Sequence, residues 1–378
     1  MADQAPIADA AEGFAAALAT GADWGQTVQR CLEALGDPPL GANLGFVYGT
    51  DALAEDMSAI TAALRAGTGI DDWVGTVGLG VAGGAVEVYG QPALAVLVAA
   101  LPDDGFRILQ ATPEPLAARH GAWLEHHKPA FGIVHGDPRN QAIAELVAGL
   151  SRETSSYLVG GLTASHGGFP QVAGRVSEGG LSGVLFDSEL RVVTGLTQGC
   201  TPIGPVRTVT EAQENVIATL DGRPAFDVFQ EDIGELLARD LRRVQGYIYV
   251  ALPIRGTDTG DYLVRNLVGI DGERGLIAVG ELIEVGQTLM FCRRDHDAAV
   301  ADLKRMLDDV KRRAGGRPKA GVYYSCIARG QNLFGQQSEE LGFVRDALGD
   351  FPLAGFFANG EICNERLYGY TGVLALFL

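Results

Sequence analysis

Apolar and polar positions along the chain fall into three runs that share one order: strand, helix, strand with a glycine-rich polar turn, then further strands. In the first run, Gly45–Gly49 reads as a strand, Leu53–Leu64 carries Met57, Ile60 and Leu64 at helical spacing, and Trp73–Val77, Ala85–Tyr89 and Leu94–Leu101 read as strands. The second has a strand at Phe131–Gly136, then a helix over Asn140–Leu150 with Ile143, Leu146, Val147 and Leu150 on one face. Strands follow at Tyr157–Gly161, Gln171–Val176 and Leu181–Phe186. In the third, Ala320–Ser325 is a strand, Ser338–Leu348 a helix, and Ala354–Phe357 and the terminal run are strands. That terminal run, Thr371–Leu378, has no charge, so it is expected to be buried and paired on both sides.

A different region separates the second and third runs. Thr208–Gly222 reads as strands joined by turns, Asp227–Arg243 as a helix, and Tyr247–Pro253, Leu263–Ile270 and Gln287–Arg293 as strands. Asp295–Arg313 reads as a long helix, acidic at its start and basic at its end, in keeping with the helix dipole, and Gly315, Gly316 and Pro318 stop it. The expected architecture is α/β: mixed sheets with packed helices, built from repeated strand–helix–strand–hairpin units in two domains. The boundaries read as a helical segment over 1–40, one domain over 41–215 and another over 216–378.

Composition narrows the class. The net charge of −18, from 47 acidic and 29 basic residues, opposes binding to nucleic acid or to an anionic membrane surface. Five widely spaced cysteines without a C-x-x-C pair fit a reduced cytoplasmic protein. The N-terminus has no basic n-region of a secretory signal, and the uncharged stretch Val88–Pro102 is too short to span a bilayer.

Candidate chemistry lies in the turns. Gly78–Gly83 matches G-x-G-x-x-G, but an alternating strand follows it where a dinucleotide site needs a helix, so a glycine hairpin is the better reading. No metal-ligand spacing links the histidines, G-x-S-x-G is absent, and no cofactor is expected. Polar clusters do occupy corresponding turns of the two halves. Gly160, Gly161, Thr163, Ser165 and His166 form one; Ser325, Cys326, Arg329, Asn359, Gly360 and Glu361 form the other. An arginine that grips a carboxylate and a glutamate that meets an ammonium are the groups a zwitterion needs. Cys326 near Arg329 keeps a cysteine nucleophile open as an alternative, although no base stands near it in sequence. A scaffold that recruits a protein partner without any ligand stays open as well.

The closing block GFFANGEIC…YTGVLALFL, SCIARGQNLFG before it, and YLVGGLTASHGGFPQVAGRVSEGGLSGVLF in the N-terminal half resemble the FIST domain family, over about residues 40–378. The resemblance implies a sensory module for a small ligand such as an amino acid, with N- and C-terminal FIST parts; an enzyme is the less expected reading. No kinase, cyclase or methyl-accepting segment is read in the chain, so it is expected either to pass its signal to a separate protein partner or not to signal at all. Where the family's G-E turn often continues with glycine and proline, this chain has Ile362, Cys363, Asn364 and Glu365, which bears on ligand preference.

Overall fold

The chain opens with a hairpin, β1 (Ile7–Ala11) and β2 (Phe14–Thr20), followed by helix α1 (Trp24–Leu35). The computed structural model describes residues 6–110, 116–234, 246–254 and 262–378. Residues 7–20 were expected in a helical segment, and this is corrected: every residue of Phe14–Thr20 is buried, and the strand pairs on both sides. Burial within a sheet here outweighs the helix preference of the alanines.

The first run folds as β3 (Leu44–Thr50), α2 (Met57–Thr68), β4 (Asp72–Gly78), the hairpin β5 (Gly80–Gly83) and β6 (Val86–Tyr89), and β7 (Ala93–Ala99). Strand β8 (Phe106–Leu109) and helix α3 (Leu116–His127) lead to the second: β9 (Phe131–Gly136), α4 (Ile143–Thr154), β10 (Tyr157–Leu162), the hairpin β11 (Gln171–Ala173) and β12 (Arg175–Ser177), and β13 (Leu181–Phe186). The expected single strand Gln171–Val176 is thus two, because Gly174 turns the chain in the left-handed region at φ +67°. Strand β14 (Val192–Gln198) follows.

The intervening segment holds β15 (Cys200–Pro202), β16 (Arg207–Gln213), β17 (Val216–Leu220), β18 (Arg223–Pro224), α5 (Ala225–Ile233), β19 (Ile248–Pro253), β20 (Tyr262–Asp271), β21 (Leu276–Val279) and β22 (Thr288–Arg294). The helix expected over Asp227–Arg243 is seen as α5; its remainder, 235–243, lies outside the described residues. Helix α6 (His296–Ala314) then precedes the third run: β23 (Ala320–Cys326), α7 (Glu339–Leu348), β24 (Leu353–Ala358), the hairpin β25 (Glu361–Cys363) and β26 (Arg366–Tyr368), and β27 (Thr371–Phe377).

Two compact units result, Met1–Gln198 with Asp302–Leu378, and Gly199–Ala301. The smaller is an antiparallel barrel. Its strands run β22-β16-β17-β21-β20-β19, and β19 pairs back to β22 to close it over a core that includes Phe229 and Phe291.

The larger unit has three sheets, each centred on one run: β1-β2-β7-β3-β4-β11-β12, β8-β13-β9-β10-β25-β26 and β14-β27-β23-β24-β5-β6. In every run the first two strands are parallel and the last is antiparallel to the first. The hairpins do not stay at home. That of the first run extends the third sheet, that of the second extends the first, and that of the third extends the second. This cyclic exchange gives the unit an approximate three-fold axis. Tyr48, His135 and Tyr324 occupy the same register position of the three first strands, and their rings meet at 5.5, 5.8 and 6.1 Å. Glycine recurs at one position of the second strands: a Cβ on Gly75, Gly160 or Gly355 would stand 1.8 Å from the carbonyl oxygen of Val47, Val134 or Tyr323.

The terminal strand β27 lies between β14 and β23 with all seven residues buried, as its lack of charge predicted. Val373, Leu374, Leu376 and Phe377 each represent about 1.5–3 kcal/mol of burial, together of the order of the whole net stability of a domain. Deletion of residues 371–378 is therefore expected to abolish soluble expression; a monodisperse, folded truncation by circular dichroism would show β27 to be dispensable.

Candidate functional site

The two C-terminal segments lie side by side, since Cys326 is in register with Ala358 and the Ile327 amide donates to the Ala358 carbonyl at 3.0 Å. Their charged groups, however, face protein. Arg329 and Glu340 form an ion pair at 2.7 Å with both side chains fully buried. Glu340 stands at the start of α7 and also accepts hydrogen bonds from Arg329 Nε (2.8 Å), Tyr323 Oη (2.7 Å), Ser325 Oγ (3.1 and 3.0 Å) and the Gly330 amide (2.9 Å). Glu340 is the residue that sequence reasoning missed. Acids at a helix start usually cap in solvent, and the only signal was its position eleven residues after Arg329.

The hairpin β5–β6 closes this cluster. Glu87 accepts from the Leu341 amide at 3.3 Å and from Tyr89 Oη at 2.8 Å, and burial, with Glu340 nearby, pushes its carboxyl up to about 7. Glu361 is separate. Its Oε2 accepts from the Thr371 amide (3.2 Å) and hydroxyl (2.7 Å), while its Oε1 is buried with no hydrogen-bond partner. Burial pushes this carboxyl up to about 8, opposed by the Thr371 bonds, Arg329 and the adjacent Cys326 thiol. Burial, reinforced by Glu361, drives the Cys326 thiol well above its ordinary value, which disfavours the thiolate a nucleophile requires. Asn359 is exposed, and the Gly360 carbonyl accepts from the Leu162 amide at 2.9 Å.

The N-terminal candidates divide. Gly160 and Gly161 pair with Ile362 and Glu361, so this part of the glycine turn does join the C-terminal set. Thr163 is buried and bonded to Thr76 (2.7 Å) and Gln171 (2.9 Å). Ser165 accepts from the Gly167 amide at 3.0 Å, and His166 bonds Asp51 at 2.7 Å with its side chain 82% exposed.

Open space lies elsewhere in the second run. Over the first sheet α1 and α2 meet so closely that a Cβ on Gly67 would stand 2.6 Å from Leu32. Over the third, Lys304 of α6 lies 5.0 Å above the Phe343 ring of α7. The corresponding pair, α3 and α4, instead brackets a cavity of about 490 Å³. Leu109, Leu116, Leu146, Leu150 and Leu181 give it an apolar wall, and Arg119, Glu145, Glu153 and Glu178 supply charge. Arg119 Nη2 donates to the Gln110 carbonyl at 3.2 Å, while its Nε is buried with no partner among the described residues. A fixed apolar wall with a few charged groups at its edge is the form of a small-molecule site. Sequence reasoning did not find it, because α3 buries only Leu116 and Trp123 and presents no strong apolar stripe.

Family models match most of the chain: the FIST N domain at residues 43–223 and the FIST C domain at 225–364. The uncharacterized protein Rv0628c of Mycobacterium tuberculosis is 31% identical over 362 residues, which are 91% of this chain and 92% of that protein. The uncharacterized protein Mb0898c of Mycobacterium bovis is 34% identical over 198 residues, 50% of this chain and 51% of its own length. No helix of the described residues is long and apolar enough to cross a membrane. With both family domains in sequence, a relative matched along nearly its whole length and the three runs folded as read, the chain belongs to the FIST family of sensory, signal-transduction modules.

Proposed function

We propose that the chain senses a small polar metabolite of the amino-acid type, that the ligand occupies the cavity between α3 and α4, and that the signal passes to a separate protein partner. The observation that carries this reading is the break in three-fold likeness. Helices α1 and α2 close on each other and Lys304 of α6 reaches the Phe343 ring of α7, whereas the second run leaves about 490 Å³ between leucines and a guanidinium. The Arg329 and Glu361 groups support it less directly, since Arg329 is already neutralised by Glu340 and both side chains are sealed from solvent. The hydrophobic cluster that holds the cavity's Leu109 and Leu116 continues to Ile362 and Leu367 of the hairpin β25–β26, a packed route from the cavity wall to the C-terminal part.

Thermal-shift titration with a panel of free amino acids tests the proposal. Saturation near a hundred times Kd should stabilise the fold by about 2.7 kcal/mol. Gly149 lines the cavity, and a Cβ there would meet nothing within 4 Å, so Gly149→Phe is expected to fold normally and abolish the shift. No shift for any member at millimolar concentration, or an undiminished shift in Gly149→Phe, would overturn it.

A further inference from the structure

From the charges around the α3–α4 cavity we infer that the site selects ligands with net positive charge, an amine-bearing group beyond the neutral zwitterion; the inference rests on the proposed location of the site. Glu178 is already held by Arg139 at 2.7 Å, and that guanidinium also binds the buried Asp137 at 2.6 Å. The groups left to a ligand are therefore Arg119, which lines the cavity, and the two α4 carboxylates Glu145 and Glu153, which are exposed and unpaired among the described residues. One cation against two anions leaves the cavity one negative charge in excess.

The placement of these charges fixes more than their sum. Glu145 and Glu153 lie eight residues apart on α4, about 12 Å along its axis, with Gly149 midway. A compact zwitterion meets at most one of them. An extended ligand places its carboxylate on Arg119 and an amine on each glutamate, with its methylene chain along Leu146 and Leu150. A ligand with a second carboxylate instead brings like charge against one of them. The geometry thus favours a basic zwitterion with a long aliphatic arm over a neutral one, and a neutral one over an acidic one.

Isothermal titration of the full chain with L-lysine, L-norleucine and L-glutamate, which share a linear side chain and differ in charge, tests this at two salt concentrations. Lysine is expected to bind most tightly and to weaken as salt rises. Glu145→Gln and Glu153→Gln should each cost lysine roughly fivefold in affinity, the upper range for an exposed ion pair, and at most one of them should weaken norleucine. Norleucine or glutamate binding as tightly as lysine, or lysine binding unaffected by both glutamine variants, overturns the charge preference while leaving the cavity in place. Binding of none of the three, with Gly149→Phe no different from the parent, removes the cavity reading and this inference with it.

Discussion

Replacing Glu340 with alanine is expected to destabilise the larger unit by about 3–5 kcal/mol, because it strands a buried guanidinium. Arg329 is 1% exposed and stays in place, with Tyr323 Oη, Ser325 Oγ and the Gly330 amide all losing the same acceptor. Each orphaned donor carries its own desolvation cost, so the loss exceeds that of the ion pair alone. The double variant Arg329→Met with Glu340→Leu, which removes both charges and keeps the volume, is expected to recover the part due to the stranded guanidinium and to keep the cost of the three orphaned donors. Guanidinium unfolding of the parent and both variants measures this. A Glu340→Ala protein within about 1 kcal/mol of the parent would mean that water reaches Arg329 and that the cluster is no sealed core.

That cluster also shows where the sequence was readable and where it was not. The three runs were legible because apolar strands and helical spacing survive in each copy, and β27 was legible because an uncharged octet has nowhere else to go. Ser325–Arg329 and Asn359–Glu361 read as one polar set, and the structure brings them together at the ends of the parallel strands β23 and β24. Their purpose did not follow. An arginine beside a glycine turn looks the same in sequence whether it awaits a ligand or is already paired, and the deciding partner, Glu340, lay on a helix whose acids read as solvated. The hairpin exchange was hidden for another reason: β5, β11 and β25 are four, three and three residues long, and their partners lie in other copies. Short strands carry little pairing information of their own.

The same exchange sets three related positions of unlike chemistry around the axis. In register, Val81, Gln171 and Glu361 are equivalent, and so are Tyr48, His135 and Tyr324. Tyr48 and Tyr324 satisfy each other through their hydroxyls at 2.7 Å, which leaves His135 the odd member, with neither ring nitrogen partnered. Ser182, opposite it in register, is likewise buried with an unpartnered hydroxyl. The second run departs from the other two both at its centre and at its covering helices.

From its buried His135, Glu87 and Glu361, stability should accordingly peak near pH 4.5 and fall on each side. Burial lowers the His135 pKa from 6.5 to about 3, so between those values the unfolded chain binds the extra proton and stability falls as pH falls. Burial raises Glu361 from 4.5 to about 8, so across that window the folded chain holds the extra proton and stability falls as pH rises. Between pH 4.5 and 6.5 these two slopes oppose and cancel, which leaves the fall that Glu87 contributes as pH rises. Of these three groups His135 is the one that titrates between pH 3 and 4.5, about 1.5 pH units and thus about 2 kcal/mol, and Glu361 the one between pH 7 and 8, about 1 unit and thus about 1.4 kcal/mol. Glu87, pushed up to about 7, adds to the alkaline fall up to that pH. Urea unfolding from pH 3 to 8.5 checks the curve. Glu361→Gln, which keeps an oxygen for Thr371, should flatten the edge above pH 7, where Glu87 no longer contributes, and His135→Leu should soften the acid one. An alkaline edge unchanged in Glu361→Gln would mean that the carboxyl is ionised in the folded protein, held by a donor that reaches its free oxygen.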